Sequence, residues 1–431
     1  MSDWVERDAA RVWHGFTQMS VYGESRPVVV ERAEGHELID TEGRRYLDAV
    51  SSLWVSTLGH RVPELDQALV DQLGRIAHST MLGNGNVATI ELAEALAPLV
   101  PVDDPRVLFA SDGASAVEQA LRIAFQFWAN EGVSGKTRFL ALGGAYHGDT
   151  FGALSVGDAG FYGELFAPLR FPVLRAPGYA TPGWADATIA LVAEHAHELA
   201  ALVIEPLVQG AAGMRIADPD DVRRVGEACA AHDVLLVCDE VAVGFGRTGT
   251  LFASERCGLR PDILVLGKGL TAGYLAMSAT VASGRVADAF LGADLGPETL
   301  YHGHSFGGNA LAAAVARRHL ELLEERNVLA RVRAREGELR ALLERELAPL
   351  PGVREIRLCG LLGAVELDTT EDELLARRVT AATVERGVFV RPIGPSILIV
   401  PPLTITTPEL ERIVAALRAA ILETAPVGAR A

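Results

Sequence analysis

Short apolar segments alternate with helical patterns through most of the 431-residue chain, and this alternation constrains the fold more than any other feature. Residues 107–110, 138–142, 201–204, 235–238 and 263–266 have the length and apolar character of buried strands. Strands that alternate with helices form parallel sheets covered by helices on both faces. We therefore predict a large three-layer α/β domain with a mostly parallel sheet, and the 49% of hydrophobic residues is enough for its core.

A second, smaller domain is expected beside the large one. We predict an N-terminal segment over residues 1–60 that contributes to the small domain and to the active site, a large domain over residues 61–320, and a small α+β domain over residues 321–431. A long helical pattern over residues 309–347 carries the chain from one domain to the next. A final helix is predicted over residues 408–424.

The composition argues against several classes of partner. The formal net charge of −17 argues against nucleic acid and against an anionic membrane. The four cysteines form no C-x-x-C pair, which indicates a reducing, cytoplasmic location without a disulfide framework. The first residues are too charged for a signal peptide, and no apolar run is long enough to span a membrane.

Two neighbouring strands end in side chains of opposite charge. The strand over residues 235–238 leads into Asp239, and the strand over residues 263–266 leads through Gly267 into Lys268. Burial favours the neutral form of a lysine, which Schiff-base chemistry needs. Alone, Lys268 is more simply a lysine that extends from a loop into solvent. Together with Asp239 it forms the pair that pyridoxal phosphate requires, an acid for the pyridine nitrogen and an amine for the aldehyde.

Two further strand ends carry candidate cofactor contacts. Residues 113–115 follow a strand and begin a helix, so their backbone N–H groups suit a phosphate, although an ordinary turn has the same pattern. Residues 146–149 follow another strand. Tyr146 there either stacks on a planar cofactor or packs in the core, and His147 and Asp149 either belong to the site or cap the loop.

Several other motifs have competing interpretations. Residues 244–249 match G-x-G-x-x-G, but we reject NAD binding because the loop does not directly follow a strand and no helix pattern comes after it. We expect Arg247 in this loop to face an anion or to pair with an acid. His302 and His304 lack the ligand spacing of a metal site, so no metal is predicted. Arg391 suits either a substrate carboxylate or a structural salt bridge.

Taken together and in order, these motifs resemble the class III (ω-type) aminotransferases of PLP-dependent transferase fold type I, the aspartate aminotransferase-like fold, over nearly the whole chain. Other segments resemble the branch of this family that acts in biotin biosynthesis; they are residues 13–19, 51–54, 77–80, 146–153, 208–214, 301–306 and 391–392.

The resemblance implies a function. A cytoplasmic homodimer with active sites at its interface would use pyridoxal phosphate to convert 8-amino-7-oxononanoate into 7,8-diaminononanoate, with S-adenosylmethionine or lysine as the amino donor. The alternative is a general class III aminotransferase that transfers amino groups from ω-amino acids or simple amines to pyruvate.

The resemblance also implies residue roles. Lys268 would carry the cofactor and move the proton, Asp239 would pair with the pyridinium nitrogen, and Tyr146 would stack on the ring. The other cofactor contacts would come from Gly113, Ala114, Glu205, Val241 and, from the neighbouring subunit, Ser305. Substrate contacts would come from Phe16, Trp54, Tyr146, Asp149, Lys268, His304 and Arg391.

The chain departs from the common family pattern at three positions. Phe16 stands where much of the family has tyrosine, Leu53 precedes Trp54 where paired tryptophans are common, and Ala114 stands where serine is common. The first two departures change the donor side of the pocket, so S-adenosylmethionine and lysine stay open as donors.

Overall fold

The structure is a computed structural model that describes residues 3–25, 27–160 and 165–424. The predicted first and last domains extend to residues 1 and 431, and these ends lie outside the described residues. In chain order the strands are β1 (Val30–Glu34), β2 (Glu37–Asp40), β3 (Arg45–Asp48), β4 (Arg106–Ala110), β5 (Arg138–Leu142), β6 (Leu174–Ala176), β7 (Leu199–Ile204), β8 (Val208–Gln209), β9 (Arg215–Ile216), β10 (Leu235–Asp239), β11 (Ile263–Leu266), β12 (Ser278–Ala282), β13 (Val353–Cys359), β14 (Leu362–Leu367), β15 (Val388–Phe389), β16 (Arg391–Ile393) and β17 (Ser396–Ile399).

The helices surround and connect these strands. In chain order they are α1 (Asp3–Arg11), α2 (Ser51–Trp54), α3 (Pro63–Leu73), α4 (Val87–Leu96), α5 (Gly113–Asn130), α6 (Phe151–Val156), α7 (Trp184–His195), α8 (Pro219–Ala231), α9 (Ala253–Arg256), α10 (Gly284–Asp288), α11 (Ala310–Glu325), α12 (Val328–Glu346), α13 (Leu375–Glu385) and α14 (Thr407–Thr424). Short 3₁₀ helices lie at Met19–Val21, Gly23–Ser25, Ala167–Leu169 and Lys268–Thr271. Among the described residues, no helix combines the length and the apolar character that a membrane span requires.

A seven-stranded sheet in the order β4-β12-β11-β10-β7-β5-β6 forms the centre of the large domain. Its strands run parallel except β12, which is antiparallel to both of its neighbours. Alternate residues enter different cores: Val237 packs in the core that contains α5, whereas Cys238 packs in the core on the opposite face. Burial of both faces explains the continuous apolar strand runs. The predicted three-layer α/β fold with a mostly parallel sheet is confirmed.

Two smaller sheets lie in the remaining part of the molecule. One has the order β1-β2-β3-β15, so N-terminal strands pair with a strand from the C-terminal part of the chain, with Leu47 opposite Val388. The other has the order β13-β14-β17-β16 and packs with α12, α13 and α14 around a separate core. The N-terminal segment thus contacts the small α+β unit, while the predicted domain bounds stay a prediction.

Two sequence expectations differ from the structure. The long helical pattern over residues 309–347 is confirmed as helical but is divided into two helices, because α11 ends at Glu325 and α12 begins at Val328. Asn327 between them has a left-handed φ of 48°, a conformation that asparagine tolerates and that interrupts a helix. Strand β13 was not predicted, since its first half carries charged residues on an exposed edge.

A buried ion cluster joins the segment after β8 to the β13–β14 hairpin. Arg357 is almost fully buried and donates to Glu366 Oε2 at 2.7 Å and to the Gly213 carbonyl at 2.8 Å. Arg215 reaches the same Glu366 oxygen at 2.8 Å. Glu366 therefore compensates two guanidinium groups, one of which has little access to water.

Replacing Glu366 by glutamine should lower the free energy of unfolding by about 3 kcal/mol, because removal of one partner leaves a buried charge uncompensated. The matched control is Glu355→Gln, since Glu355 also contacts Arg357 but is exposed; it should lower stability by less than about 1 kcal/mol. Urea denaturation at one protein concentration measures both. Equal losses of stability in the two variants would contradict the role of Glu366 as the acid that compensates the buried guanidinium of Arg357.

Candidate active site

The ends of β10 and β11 bring Asp239 and Lys268 to the same edge of the central sheet. The strands are parallel, with Asp239 opposite Val265, and Lys268 follows three residues later. Lys268 begins a 3₁₀ helix with a φ of 39°, a strained conformation for a residue with a side chain. Burial lowers the pKa of the Lys268 amine, while the negative charges of Asp239 and Glu205 oppose this decrease. The site therefore holds an amine that gives up its proton more readily than an exposed lysine.

His147 fixes the Asp239 carboxylate. Its Nδ1 lies 2.8 Å from Asp239 Oδ2, and both side chains are buried. The backbone N–H of Val241 donates to the other carboxylate oxygen at 3.0 Å. With a carboxylate as acceptor, His147 carries its proton on Nδ1, and its Nε2 is buried without a partner among the described residues. The sequence left open whether His147 belongs to the site or caps the loop, and its pairing with Asp239 was not predicted.

Trp54 forms an apolar wall beside the lysine. The Lys268 amine lies 5.2 Å from the centroid of the Trp54 ring, and Trp54 is only 6% exposed. Gly210 packs on the other part of the indole, since a Cβ at this glycine would lie 3.0 Å from Trp54 Cζ3. The indole N–H is buried and has no acceptor in the described part of the chain. The wall therefore excludes water from one side of Lys268.

Glu205 is a second buried carboxyl near Lys268. It follows β7 and accepts hydrogen bonds from the backbone N–H groups of Tyr146 at 3.1 Å and Gly210 at 3.0 Å. Burial raises the pKa of Glu205 to about 7, and the charge of Asp239 adds to this increase while His147 opposes it. Glu205 thus titrates near neutral pH and connects the Tyr146 loop to the Trp54 wall.

Tyr146 and Asp149 form a hydrogen-bonded pair at the end of β5. The phenol of Tyr146 donates to Asp149 Oδ1 at 3.0 Å. Burial, together with the Asp149 charge, raises the pKa of Tyr146, so the phenol stays neutral. The structure brings this pair to the sheet edge that also carries Glu205 and Asp239.

The N-terminus of α5 provides free backbone donors. Asp112 caps this 18-residue helix by accepting the Ser115 N–H at 2.9 Å, whereas the N–H groups of Gly113 and Ala114 have no acceptor among the described residues. A Cβ at Gly113 would lie 2.8 Å from Val241 Cγ1, so only glycine fits against this side chain. Unpaired N–H groups and the helix dipole make this end of α5 suitable for a phosphate.

The other predicted site residues are Phe16, His304, Ser305 and Arg391. Phe16 is 60% exposed with a φ of 54°. His304, Ser305 and Arg391 make no hydrogen bond or ion pair to the cluster within the described residues. Ser305 is exposed, and its carbonyl accepts from His78. Arg391 begins β16, is exposed and has no acidic partner in the described part of the chain, and its role stays a prediction.

We expected Arg247 to face an anion or to pair with an acid, and this prediction is wrong. Its guanidinium is fully buried and donates to the carbonyls of Pro401 at 2.6 Å and Trp54 at 3.4 Å, rather than to an acid or an anion. Burial lowers the pKa of Arg247 to about 9, and the charge of Asp48 opposes the decrease. Arg247 thus ties the glycine-rich loop to the Trp54 backbone. Within the described residues, no three His, Cys, Asp or Glu side chains are placed to hold a metal ion.

Comparisons with known proteins agree with this geometry. The family described as "Aminotransferase class-III" matches residues 19–421. The adenosylmethionine-8-amino-7-oxononanoate aminotransferase of Nitratidesulfovibrio vulgaris is 44% identical over 98% of this chain and 82% of its own length. The crystal structure of the enzyme of that name from Methanocaldococcus jannaschii has a TM-score of 0.94 at 37% identity and covers 97% of this chain and 98% of its own. The ω-transaminase of Pseudomonas jessenii, solved in complex with PMP, has a TM-score of 0.90 at 28% identity over 98% of both chains.

The buried Glu205 carboxyl predicts a pH dependence of stability. A carboxyl with a higher pKa in the folded protein than its ordinary 4.5 binds its proton more tightly when folded, so stability decreases as the pH rises from 4.5 to about 7. Glu205→Gln lacks this titration. The stability of the variant relative to the native apoenzyme should therefore increase by up to about 3 kcal/mol over this range and stay constant above it.

Urea denaturation of both apoenzymes at several pH values measures this difference. The hydrogen bond lost in the glutamine variant gives an offset that does not depend on pH. Burial also raises the pKa of Glu240 to about 7, but Glu240 is present in both proteins, so its contribution cancels. The exposed Glu131→Gln is the control. A pH-independent difference for Glu205→Gln, or the same pH-dependent difference in the control, would contradict the account.

Proposed function

The chain belongs to the class-III aminotransferase family, and we propose that it aminates 8-amino-7-oxononanoate to 7,8-diaminononanoate in biotin biosynthesis. The 44% identity to an adenosylmethionine-8-amino-7-oxononanoate aminotransferase over nearly the whole chain carries this proposal. The fold alone does not distinguish the alternatives, because an ω-transaminase shares it with a TM-score of 0.90. The identity to that ω-transaminase is only 28%, which makes the general ω-transaminase the weaker alternative.

Pyridoxal phosphate is the cofactor of this family, and the residues at the sheet edge fit it. The free N–H groups of Gly113 and Ala114 suit the phosphate, and the fixed carboxylate of Asp239 suits the ring nitrogen. Val241 fills the space above Gly113. Val241 and Tyr146 would contact the two faces of the cofactor ring. When bound, pyridoxal phosphate withdraws electrons from the carbon that loses or gains the amino group.

Asp239 and His147 act together in this proposal. His147 holds the carboxylate through Nδ1, and the Val241 N–H holds its other oxygen, so the carboxylate cannot rotate away from the ring nitrogen. A preorganised charge of this kind stabilises a protonated ring without further reorganisation during the reaction.

Lys268 would bind the cofactor aldehyde and move the proton. Because burial lowers its pKa, the Lys268 Nζ is neutral and able to accept a proton at a lower pH than an exposed lysine. The Trp54 ring beside Nζ excludes water, and Asp239 and Glu205 stabilise the amine once it is protonated. The strained backbone of Lys268 and the parallel strand before it hold this nitrogen in place.

The substrates are small and carry a carboxylate. Arg391 is exposed and has no acidic partner among the described residues, so its guanidinium is available for that group. We assign Phe16, Trp54, Asp149 and His304 to the same substrate site. The amino donor is S-adenosylmethionine or lysine, and we expect Phe16 and Leu53 to contact the part of the donor that distinguishes these two substrates.

We also propose a homodimer in which Ser305 completes the phosphate site of the neighbouring subunit. Ser305 lies in an exposed loop together with two large exposed rings, Tyr301 at 67% and Phe306 at 63%. Exposed aromatic side chains in one loop are typical of a protein interface. A cytoplasmic location stays a prediction and is supported by four buried cysteines that form no disulfide.

The chain offers an unusually direct test of the cofactor lysine, because it contains only two lysines, Lys136 and Lys268. Burial lowers the pKa of both lysines, but the Lys136 amine donates to the Asp233 carbonyl and lies away from the sheet edge that carries Lys268. Borohydride reduction of the holoenzyme followed by peptide mapping should place the cofactor on Lys268 alone. Lys268→Ala should lower kcat by at least about 10³-fold.

Lys136→Met is the matched control and should keep its activity and its lysine-bound absorbance, although it loses a buried contact. Label on Lys136, or an absorbance band that persists in Lys268→Ala, would remove Lys268 from the reaction.

The donor is identified from the first half of the reaction. S-Adenosylmethionine, lysine and 4-aminobutyrate are added separately to the holoenzyme, and the lysine-bound cofactor absorbance is followed. One of the first two donors should convert the absorbance fully to that of the amine form, because the proposed pocket binds an α-amino acid. Conversion by 4-aminobutyrate alone would support the general ω-transaminase instead.

A further inference from the structure

The segment that carries Trp54 is strained. We name residues 50–54 the Trp54 turn. Ser51, Ser52 and Trp54 have φ values of 50°, 62° and 65°, all left-handed, although none of them is glycine. A left-handed backbone conformation costs free energy at a residue other than glycine, and it persists only where surrounding contacts enforce it. The Trp54 turn therefore needs a group that holds its backbone.

The Asp48 carboxylate accepts hydrogen bonds from backbone N–H groups of this turn. It ends β3 and is fully buried. Its Oδ2 accepts the Ser52 N–H at 2.7 Å, and its Oδ1 accepts the Val50 N–H at 3.2 Å. His60 Nε2 lies 2.9 Å from Oδ2 and fixes the carboxylate from the other side. Three donors thus converge on one carboxylate.

Other contacts close the turn but do not replace Asp48. The Ser51 hydroxyl donates to the Val400 carbonyl at 2.7 Å, and Arg247 reaches the Trp54 carbonyl only at 3.4 Å. Neither contact binds the N–H of Ser52, which has a non-helical backbone conformation in this turn. Without the Asp48 carboxylate, that N–H group loses its acceptor.

We propose that Asp48 is a positioning residue for substrate recognition. Its carboxylate holds the Trp54 turn in the left-handed conformation that places the indole beside Lys268. This inference rests on the proposed function, because it takes Trp54 as a wall of the substrate site. Asp48 makes no hydrogen bond to Lys268, Asp239 or His147, so its loss should change substrate binding more than cofactor binding or the chemical step.

The test is Asp48→Asn, which keeps the shape but cannot accept all three donors. The KM for 8-amino-7-oxononanoate should rise about tenfold, because an N–H group of the amide now faces a donor. The kcat and the cofactor absorbance should change less than KM, because the Asp48 carboxylate bonds to neither Lys268 nor Asp239. Acrylamide quenching of the apoenzyme reports on the indole directly. With five tryptophans in the chain, the Trp54 contribution is obtained by difference from Trp54→Phe, and it should be quenched more strongly in Asp48→Asn.

The matched control is Asp40→Asn. Asp40 is equally buried, ends the preceding strand β2, and accepts hydrogen bonds from the Glu42 and Arg44 N–H groups and the Tyr46 hydroxyl. This variant should lose stability without a change in KM or in Trp54 quenching. A second variant, His60→Leu, removes one donor to Asp48 at a partly exposed position and should raise KM by a smaller factor.

The outcomes are separable. Equal KM values for the Asp48 and Asp40 variants, or Trp54 quenching that does not change in Asp48→Asn, would overturn the positioning role. If Asp48→Asn does not fold, an unchanged KM and unchanged Trp54 quenching in His60→Leu overturn the positioning role. The double variant Asp48→Asn with Trp54→Phe should have the same KM as Trp54→Phe alone. If Trp54→Phe alone leaves KM unchanged, the proposed substrate wall fails, whereas the apoenzyme quenching still decides whether Asp48 holds the turn.

Discussion

A buried lysine between two buried carboxylates is the interaction on which the rest of the structure depends. Burial lowers the pKa of Lys268, and the same desolvation raises the pKa of Glu205 to about 7. Beside them, His147 and the Val241 N–H bind the two oxygens of Asp239 and hold its carboxylate in place. Burial thus shifts the pKa of Lys268 and that of Glu205 in opposite directions next to a fixed carboxylate. Opposite pKa shifts of neighbouring groups are typical of sites that transfer a proton.

The parallel sheet makes this arrangement possible, because strands β5, β7, β10 and β11 all end at one edge. Buried strands give their ends little freedom, so the side chains that follow them are held precisely enough for chemistry. The Trp54 wall comes from a different part of the chain, and its placement depends on contacts between the N-terminal segment, the glycine-rich loop and the small α+β unit. Arg247 and Ser51 make these contacts through backbone carbonyls of residues 400 and 401. The two parts of the molecule thus meet at the amine of Lys268.

Sequence reasoning predicted the sheet and the Asp239–Lys268 pair, because apolar strand runs and the residues after them are visible locally. It missed His147 as the partner of Asp239. A pair between the ends of β5 and β10 follows only from the strand order, in which β7 alone separates them. It also missed the break at Asn327, where a single left-handed residue outweighs a helical composition. The partners of Arg247 could not be predicted, since backbone carbonyls brought together by the tertiary fold leave no mark in the sequence.

The most direct test of the proposed function is the choice of amino acceptor. The holoenzyme is first converted to its amine form with an effective donor and separated from it. It is then mixed with 8-amino-7-oxononanoate or with pyruvate, and the return of the lysine-bound absorbance is timed. The account predicts a rate constant per unit concentration at least about 10²-fold higher for 8-amino-7-oxononanoate, because Arg391 and the Trp54 wall would bind a long substrate with a terminal carboxylate. An equal or faster reaction with pyruvate would contradict it.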